Sequence, residues 1–222
     1  MARHSLPNRI WYRTLKGGCQ LVAVLAYRVR HTGMENIPAE GGVLVVSNHQ
    51  SYFDPPLVGI GTPRRMNYLA RDTLFRFAPF RWLIRSLDAI AIDREGLGLS
   101  GMKEALRRLK WGEMVLIFPE GTRSPDGEIA EFLPGFTALA VRSRAAILPV
   151  AIEGACDAWP RDRKLPGLGR IRVHYGQPIL PGQIGDWDER ELVREVERRV
   201  RQCHARVREP RGPVRRGGCV TR

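Results

Sequence analysis

The chain has 222 residues, of which 36 are Lys or Arg and 23 are Asp or Glu, so its formal net charge is +13 at pH 7. This length suits a single α/β domain, and a 43% hydrophobic content is too high for a disordered polycation. Residues 1–30 hold six basic side chains and no acid, residues 190–222 hold eleven Arg against four Glu, and the chain between them is balanced. Basic ends on a neutral body predict a polyanionic partner, either a nucleic acid or an anionic membrane surface.

Composition also argues against several classes of protein. No stretch reaches the roughly 18–20 consecutive apolar residues that cross a bilayer, since the best run, at 21–27, covers seven positions. The first residues lack the apolar core of a secretory signal. The four cysteines form no CxxC pair and have no histidine at zinc-finger spacing, so neither a disulfide frame nor a metal site is predicted. Unpaired thiols predict a reducing, cytoplasmic compartment.

The N-terminal part of the chain has a helical pattern. In residues 5–30, apolar side chains recur about one turn apart, with basic side chains between them. The Gly17-Gly18 pair predicts a break into two short helices. Residues 1–32 are therefore expected to form an N-terminal amphipathic helical pair that lies in a membrane interface. The alternative is that the same pair packs on the core of the domain.

Further along, apolar runs typical of buried strands alternate with helical patterns. The predicted strands are at 43–46, 66–70, 89–93, 114–118, 147–152 and 171–175. The predicted helices are one that opens at Pro55-Pro56 and three at 100–110, 136–143 and 189–207. We therefore expect an α/β fold, a single domain over residues 33–208 with a mostly buried mixed sheet flanked by helices. A basic, flexible tail is expected at 209–222.

The end of the first buried strand carries a candidate base. Residues 48–54 read Asn-His-Gln-Ser-Tyr-Phe-Asp, with His49 as the general base and Asp54 as its orienting partner. Five helical steps would place the two side chains about 140° apart, so they cannot share a helix face and the residues between them must turn. A histidine that only caps the strand end is the alternative.

A second strand end carries residues suited to phosphate. Residues 118–124 read Phe-Pro-Glu-Gly-Thr-Arg-Ser. Gly121 permits close approach of the backbone, Thr122 offers a hydroxyl, and Arg123 presents a planar fork. Because ligands of open α/β sheets bind outside the carboxyl ends of strands, the two strand ends predict a shared crevice. An ordinary tight turn with a surface arginine is the alternative.

Residues 96–101 fit the dinucleotide pattern G-x-G-x-x-G between a predicted strand and a predicted helix, with Glu120 about 20 residues further on. Asp93-Arg94-Glu95 intervenes between the strand and the first glycine, which argues against a dinucleotide-dependent oxidoreductase. A flexible loop that frees Arg94 to point into the crevice is preferred. The chain has neither a G-x-S-x-G elbow nor a cysteine beside a strand-end histidine, so a base acting on a substrate hydroxyl is indicated.

Four short motifs in this order resemble those of one family. Residues 48–55 are similar to the HxxxxD motif of the glycerolipid acyltransferases, and residues 118–124 to that family's second hallmark. Residues 148–150 resemble its later Val-Pro-Val/Ile strand, and residues 92–94 its middle arginine motif. The resemblance covers about residues 40–155 and, within the family, points to the 1-acylglycerol-3-phosphate acyltransferases.

The resemblance implies transfer of a fatty acyl group from acyl-CoA or acyl-carrier protein to the free hydroxyl of a lysophospholipid, above all 1-acylglycerol 3-phosphate, giving phosphatidic acid. His49 would act as the general base and Asp54 would orient it. The residues implied to bind the substrate are Arg71, Arg94, Glu120, Gly121, Thr122 and Arg123. No metal and no cofactor beyond the acyl donor is required. Glycerol 3-phosphate or another lysolipid is the alternative acceptor.

An anionic substrate also gives the basic ends of the chain an interpretation. Each basic residue near an anionic membrane surface contributes about 1 kcal/mol of attraction. We therefore expect a peripheral protein at the cytoplasmic face of a membrane. A nucleic-acid-binding protein is the competing interpretation of the charge. The sequence shows no basic–aromatic interleaving of a known reader module, so no nucleic acid partner is expected.

Overall fold

A computed structural model describes the chain over residues 6–71, 89–92, 99–163 and 165–208. Five of the sequence predictions fall wholly or partly outside these residues: the first five residues of the helical pair at 1–32, the last residue of the strand at 89–93, Arg94, the start of the glycine-rich pattern at 96–98 and the tail at 209–222. The predicted fold class is confirmed, since the described residues form one α/β unit around a mixed sheet.

Within the described residues, seven strands form a single sheet. They are β1 (Arg30–Thr32), β2 (Val43–Ser47), β3 (Met66–Arg71), β4 (Ala89–Ile92), β5 (Met114–Ile117), β6 (Ala146–Glu153) and β7 (Arg172–Tyr175). Their order across the sheet is β1-β7-β6-β2-β5-β3-β4. The five strands from β6 to β4 are parallel, whereas β7 is antiparallel to β6 and parallel to β1.

The described helices lie between these strands and at the two ends of the described chain. They are α1 (Leu6–Tyr27), α2 (Asp54–Ile60), α3 (Leu99–Lys110), α4 (Thr137–Ser143), α5 (Ala155–Ala158), α6 (Pro181–Ile184) and α7 (Glu189–Val207), with 3-10 turns at Met34–Asn36 and Pro134–Phe136. The six predicted strands and the helices α3, α4 and α7 agree with the structure to within one residue at each end. The short elements β1, α5 and α6 were not predicted, because three or four residues are too few to show a periodicity.

Strand β2 is buried along its whole length, because helices cover both faces of the sheet. Val43 and Val45 pack in one apolar cluster together with residues of α1 and α2. Leu44 and Val46 pack on the opposite face in a second cluster, with residues of α3, α4 and α7. Successive side chains of a strand point to opposite faces, so a strand covered on both faces is read as an unbroken apolar run.

The predicted break at Gly17-Gly18 is wrong, since α1 is one continuous helix of 22 residues. A glycine inside a helix costs about 1 kcal/mol relative to alanine, which weakens a helix without ending it. Lys16 and Gln20 flank the glycine pair and donate to backbone carbonyls at and just beyond the end of α2. These bonds tie both sides of the pair to the domain. In the described part of the chain, no helix is long and apolar enough to cross a bilayer.

The register of the sheet brings the ends of β2 and β5 to the same level, beside the carboxyl-terminal part of β6. Val46 of β2 is level with Ile117 of β5, and Ser47 is level with Val150 of β6. The segments that leave the carboxyl ends of β2 and β5 therefore begin side by side, whereas the neighbouring β6 continues to Glu153. Both predicted motif segments, after β2 and after β5, start at this edge of the sheet.

Candidate active site

His49 and Asp54 lie together at the carboxyl edge of the sheet. Nδ1 of His49 is 2.8 Å from Oδ2 of Asp54, because the chain turns after β2 and begins α2 at Asp54. The same carboxylate oxygen accepts the backbone N–H groups of Gln50, at 2.5 Å, and Ser51, at 2.7 Å. Asp54 is fully buried, so three hydrogen bonds to one charged oxygen hold the carboxylate in a single orientation.

The imidazole of His49 has the arrangement of a base. When Asp54 accepts the proton on Nδ1, the lone pair of the neutral ring lies on Nε2. Among the described residues no group hydrogen-bonds to Nε2, and 20% of the side chain is exposed. Phe118 stacks on the ring, with the centroids 4.0 Å apart and the planes at 16°. A substrate hydroxyl can therefore reach Nε2 while the ring is held.

Glu120 ties the backbone of His49 to the loop that follows β5. Its Oε1 accepts the N–H of His49 at 2.8 Å, and its Oε2 accepts the N–H of Ala130 at 3.1 Å. The N–H of Ser124 donates to the carbonyl of His49 at 2.7 Å. The sequence placed Glu120 among the residues that bind substrate; in the structure it is 7% exposed and both of its oxygens accept backbone N–H groups.

The burial of Glu120 changes its titration. Loss of solvent raises the pKa of Glu120 to about 7, and the nearby charge of Asp54 acts in the same direction. The two backbone hydrogen bonds favour the ionised form and oppose this rise. At neutral pH the carboxyl is therefore close to the midpoint of its titration.

Arg123 presents a charged donor beside the turn that holds His49. Its guanidinium carbon lies 3.6 Å from the centroid of the Tyr52 ring. Its Nη1 atom is buried and has no hydrogen-bond partner among the described residues, and such atoms are rare in proteins. Gly121 has a φ of 68°, a conformation that glycine enters without steric cost, and both Gly121 and Thr122 are exposed. A guanidinium fork without a protein acceptor is suited to a phosphate.

The side chains of the other two predicted basic residues, Arg71 and Arg94, lie outside the described part of the structure. Arg71 is the last residue of β3, and Arg94 lies outside the described residues.

Within the described ranges, no group of three or more His, Cys, Asp or Glu side chains is placed to hold a metal ion. Burial raises the pKa of Cys203 to about 11 and also raises that of Cys19, which disfavours a thiolate nucleophile at either position.

Sequence reasoning missed the role of the Asn48 side chain. Nδ2 of Asn48 donates to the carbonyl of Ile152 at 3.0 Å, and Oδ1 accepts the N–H of Ile152 at 2.8 Å. The amide thus extends the pairing of β2 with β6 beyond the last residue of β2. The only sign of this role in the sequence was an amide side chain directly before His49. Its partner Ile152 is 104 residues away in the chain, so the sequence did not identify the contact.

Sequence reasoning also missed a row of aromatic rings beside the base. Tyr27, at the end of α1, lies 4.8 Å from Phe53 between ring centroids, and Phe53 lies 4.9 Å from Trp159. Trp159 is 5.1 Å from Tyr52, which supports Arg123. The row connects the end of α1 to the guanidinium. No periodicity reports it, because its members come from three separate segments.

A family model described as Acyltransferase matches residues 28–153. This match spans the strands that carry both motif segments and more than half of the chain.

Relatives and a solved structure agree with that match. The chain is 32% identical to a 1-acyl-sn-glycerol-3-phosphate acyltransferase of Pseudomonas aeruginosa, over 93% of this chain and 79% of the relative. It is 26% identical to the Bacillus subtilis protein of the same name, over 82% of this chain and 89% of the relative. The crystal structure of the 1-acyl-sn-glycerophosphate (LPA) acyltransferase PlsC of Thermotoga maritima superposes with a TM-score of 0.80. That superposition covers 95% of this chain and 86% of the other, at 28% identity.

Proposed function

The chain belongs to the Acyltransferase family, and we propose that this acyltransferase moves a fatty acyl group from acyl-CoA or acyl-carrier protein to the free hydroxyl of 1-acylglycerol 3-phosphate. The product is phosphatidic acid, a precursor for phospholipid biosynthesis. The names of the relatives support this acceptor. The observation that carries the proposal is the 2.8 Å contact of His49 with Asp54, beside a loop with an unpartnered guanidinium N–H.

The proposed step needs one base and no protein nucleophile. Nε2 of His49 removes the proton of the acceptor hydroxyl as its oxygen attacks the thioester carbonyl carbon. The resulting tetrahedral intermediate collapses, the carbon–sulfur bond breaks, and the thiolate leaves with the proton carried by the imidazolium. Asp54 stabilises the imidazolium while it exists. The step requires no metal and no cofactor beyond the acyl donor.

The phosphate of the acceptor is assigned to the loop after β5. Its charge fits the unpartnered Nη1 donor of Arg123, because a guanidinium binds a phosphate through parallel charged hydrogen bonds. The exposed Gly121 and Thr122 supply close backbone approach and a hydroxyl at the same loop. Arg71 and Arg94 are assigned to the phosphate by the family resemblance. Glu120 is assigned to the same site as a positioning residue, because its oxygens are bonded to the backbone of His49 and Ala130.

We further propose that the protein works peripherally at the cytoplasmic face of a membrane, where its acceptor resides. The support comes from α1, whose outer side exposes large apolar side chains at Ile10, Leu21, Val22, Val24 and Leu25. The same helix and the chain just after it carry basic residues and no acid. Such a surface favours the interface of an anionic bilayer. No nucleic acid is proposed as a partner.

The direct test is an assay of the purified chain with labelled acyl-CoA and 1-acylglycerol 3-phosphate, followed by thin-layer separation of the products. Removal of a general base costs about 10²–10⁴-fold in rate, so His49→Ala is expected to lose at least about 100-fold in kcat. His31→Gln is the matched control, because His31 bonds the carbonyl of Leu57 and stacks on Tyr175, neither of which the proposed step uses, and glutamine keeps a donor for Leu57. An unchanged rate in His49→Ala, with product formed by the wild type, would overturn the role of His49.

The same assay decides between acceptors. Glycerol 3-phosphate and neutral lysolipids are supplied in parallel with 1-acylglycerol 3-phosphate. The proposal expects the highest kcat/KM for 1-acylglycerol 3-phosphate. A higher value for glycerol 3-phosphate would keep acyl transfer and replace the acceptor.

A further inference from the structure

We infer that the loop that joins α5 to β7, described at 160–163 and 165–170, is a second membrane-contacting element next to the active site. Its tip carries Leu168 and Leu165, which are 84% and 75% exposed. Together with Leu25 of α1, at 73%, they are the three most exposed large apolar side chains of the described residues. One exposed leucine on a protein surface is ordinary, but two in four residues form a local apolar projection.

Two hydrogen bonds within this part of the chain restrain the conformation of the loop. The N–H of Gly167 donates to the carbonyl of Ala158 at 2.7 Å. The indole Nε1 of Trp159 donates to the carbonyl of Arg163 at 3.0 Å. Four of the loop residues are proline or glycine: Pro160, Pro166, Gly167 and Gly169. The exposed leucines therefore stand on a braced turn.

The first end of the loop touches the turn that carries the base. The carbonyl of Trp159 accepts the hydroxyl of Ser51 at 2.8 Å, and the N–H of Ser51 donates to Asp54. The Trp159 ring packs against Tyr52 and Phe53. The loop therefore begins directly after Trp159, whose carbonyl and ring contact the turn that carries His49.

The second end of the loop lies against the end of α1. The N–H of Ile171 donates to the carbonyl of Tyr27 at 3.1 Å, and the N–H of Arg30 donates to the carbonyl of Ile171 at 3.0 Å. The loop and α1, each with exposed apolar side chains, are therefore adjacent at this point.

The charge of the loop selects an anionic lipid surface as the occupant. Arg161, Arg163 and Arg170 are exposed around the two leucines, against the single acid Asp162. Leucines enter the boundary between headgroups and acyl chains while arginines stay at the level of the phosphates. An acidic protein partner would use the arginines and leave two leucines in water. The inference rests on the proposed membrane association and adds a second contact at the mouth of the site.

Flotation of the full chain with vesicles of phosphatidylcholine and phosphatidylglycerol tests the inference without turnover. The variants are L165S/L168S in the loop, L21S/L25S in α1 and L180S/V141S as the matched control. Leu180 and Val141 are also more than half exposed, but they lie near the amino end of β6, at the opposite edge of the sheet. Because burial of leucine in an apolar environment is favourable, the loop variant is expected to lose about tenfold in vesicle partition, and the control variant is expected to keep it.

The possible outcomes distinguish a failure of membrane association from a failure of the loop inference. A wild type that does not float overturns membrane association and the loop inference together. A loss in L21S/L25S with none in L165S/L168S overturns the loop inference alone. If the loop variant floats unchanged but has a raised KM for an acyl-carrier protein, the loop binds the acyl donor. That result also overturns the loop inference. Turnover of a short-chain acceptor without vesicles is expected to stay within about twofold in L165S/L168S, which separates this result from a failure of acyl transfer.

Discussion

The backbone N–H of His49 donates to Oε1 of Glu120 at 2.8 Å, so the proposed base is held by a carboxylate from a different strand end. The second oxygen of Glu120 accepts the N–H of Ala130, so the same carboxylate also contacts the chain ten residues further on. We therefore expect Glu120 to act on the chemistry through the position of the His49 peptide. Its replacement is expected to disturb both stability and rate.

Glu120→Gln is expected to lower the free energy of unfolding by about 1–3 kcal/mol at pH 5, because one of the two backbone N–H groups then faces an amide donor. The kcat at neutral pH is expected to fall about 10–100-fold as the base loses its position. Urea denaturation and initial rates measure the two effects. Glu131→Gln, at an exposed neighbouring position, is the control. Wild-type stability and rate in Glu120→Gln would contradict the positioning role.

The raised pKa of Glu120 predicts a pH dependence of stability with a definite sign. Its pKa of about 7 in the folded chain lies above the usual value of 4.5, so the folded state retains a proton that the unfolded state has lost. The corresponding stabilisation is complete below pH 4.5 and is lost as the pH rises through 7. The stability of the wild type relative to Glu120→Gln is expected to decline by about 3 kcal/mol over this range. A pH-independent difference between the two unfolding curves would refute it.

Asp54→Asn is expected to lower kcat by about 10²–10⁴-fold while the chain stays folded. Asparagine keeps an acceptor oxygen for the N–H groups of Gln50 and Ser51, but it removes the charge that stabilises the imidazolium. Steady-state kinetics measure the loss, and circular dichroism checks the fold. Asp157→Asn, on the exposed side of α5, is the matched control. A kcat within a few fold of the wild type would show that the pair has no part in proton transfer.

Tyr52 is expected to support acceptor binding through its contact with Arg123. Because the contact is a cation–π interaction, Tyr52→Leu is expected to raise the KM for 1-acylglycerol 3-phosphate by about 3–10-fold. Tyr52→Phe keeps the ring and is expected to behave like the wild type. The KM for the acyl donor is expected to stay unchanged in both variants. Equal effects of leucine and phenylalanine would assign the role to the hydroxyl group instead.

Asn48→Ala is expected to destabilise the carboxyl edge of the sheet. Asn48 is 1% exposed and bonds both backbone groups of Ile152, so alanine leaves a buried donor and a buried acceptor without partners. The free energy of unfolding is expected to fall by about 2–4 kcal/mol. Denaturation with urea measures this loss. A change below about 0.5 kcal/mol would mean that water replaces the amide without cost.

Local patterns in the sequence determined the elements and the chemistry of the site. The apolar run at 43–46 predicted a strand covered on both faces, and the amphipathic pattern at 189–207 predicted α7, because burial and helical period are written in neighbouring residues. The residue types at His49, Asp54 and Arg123 indicated a base, its partner and a phosphate fork. The motifs that contain them were sufficient to identify the family resemblance.

Tertiary structure decided what those residues bond to. Whether α1 continues through Gly17-Gly18 depends on contacts with α2, which the local cost of glycine does not report. The partners of Glu120 and Asn48 follow from the register of β2 with β5 and β6, since that register sets which backbone groups lie within reach. Hydrogen bonds act over about 3 Å in space whatever the separation along the chain. The sequence therefore indicated the proposed reacting groups, and only the packed sheet determined which groups hold them.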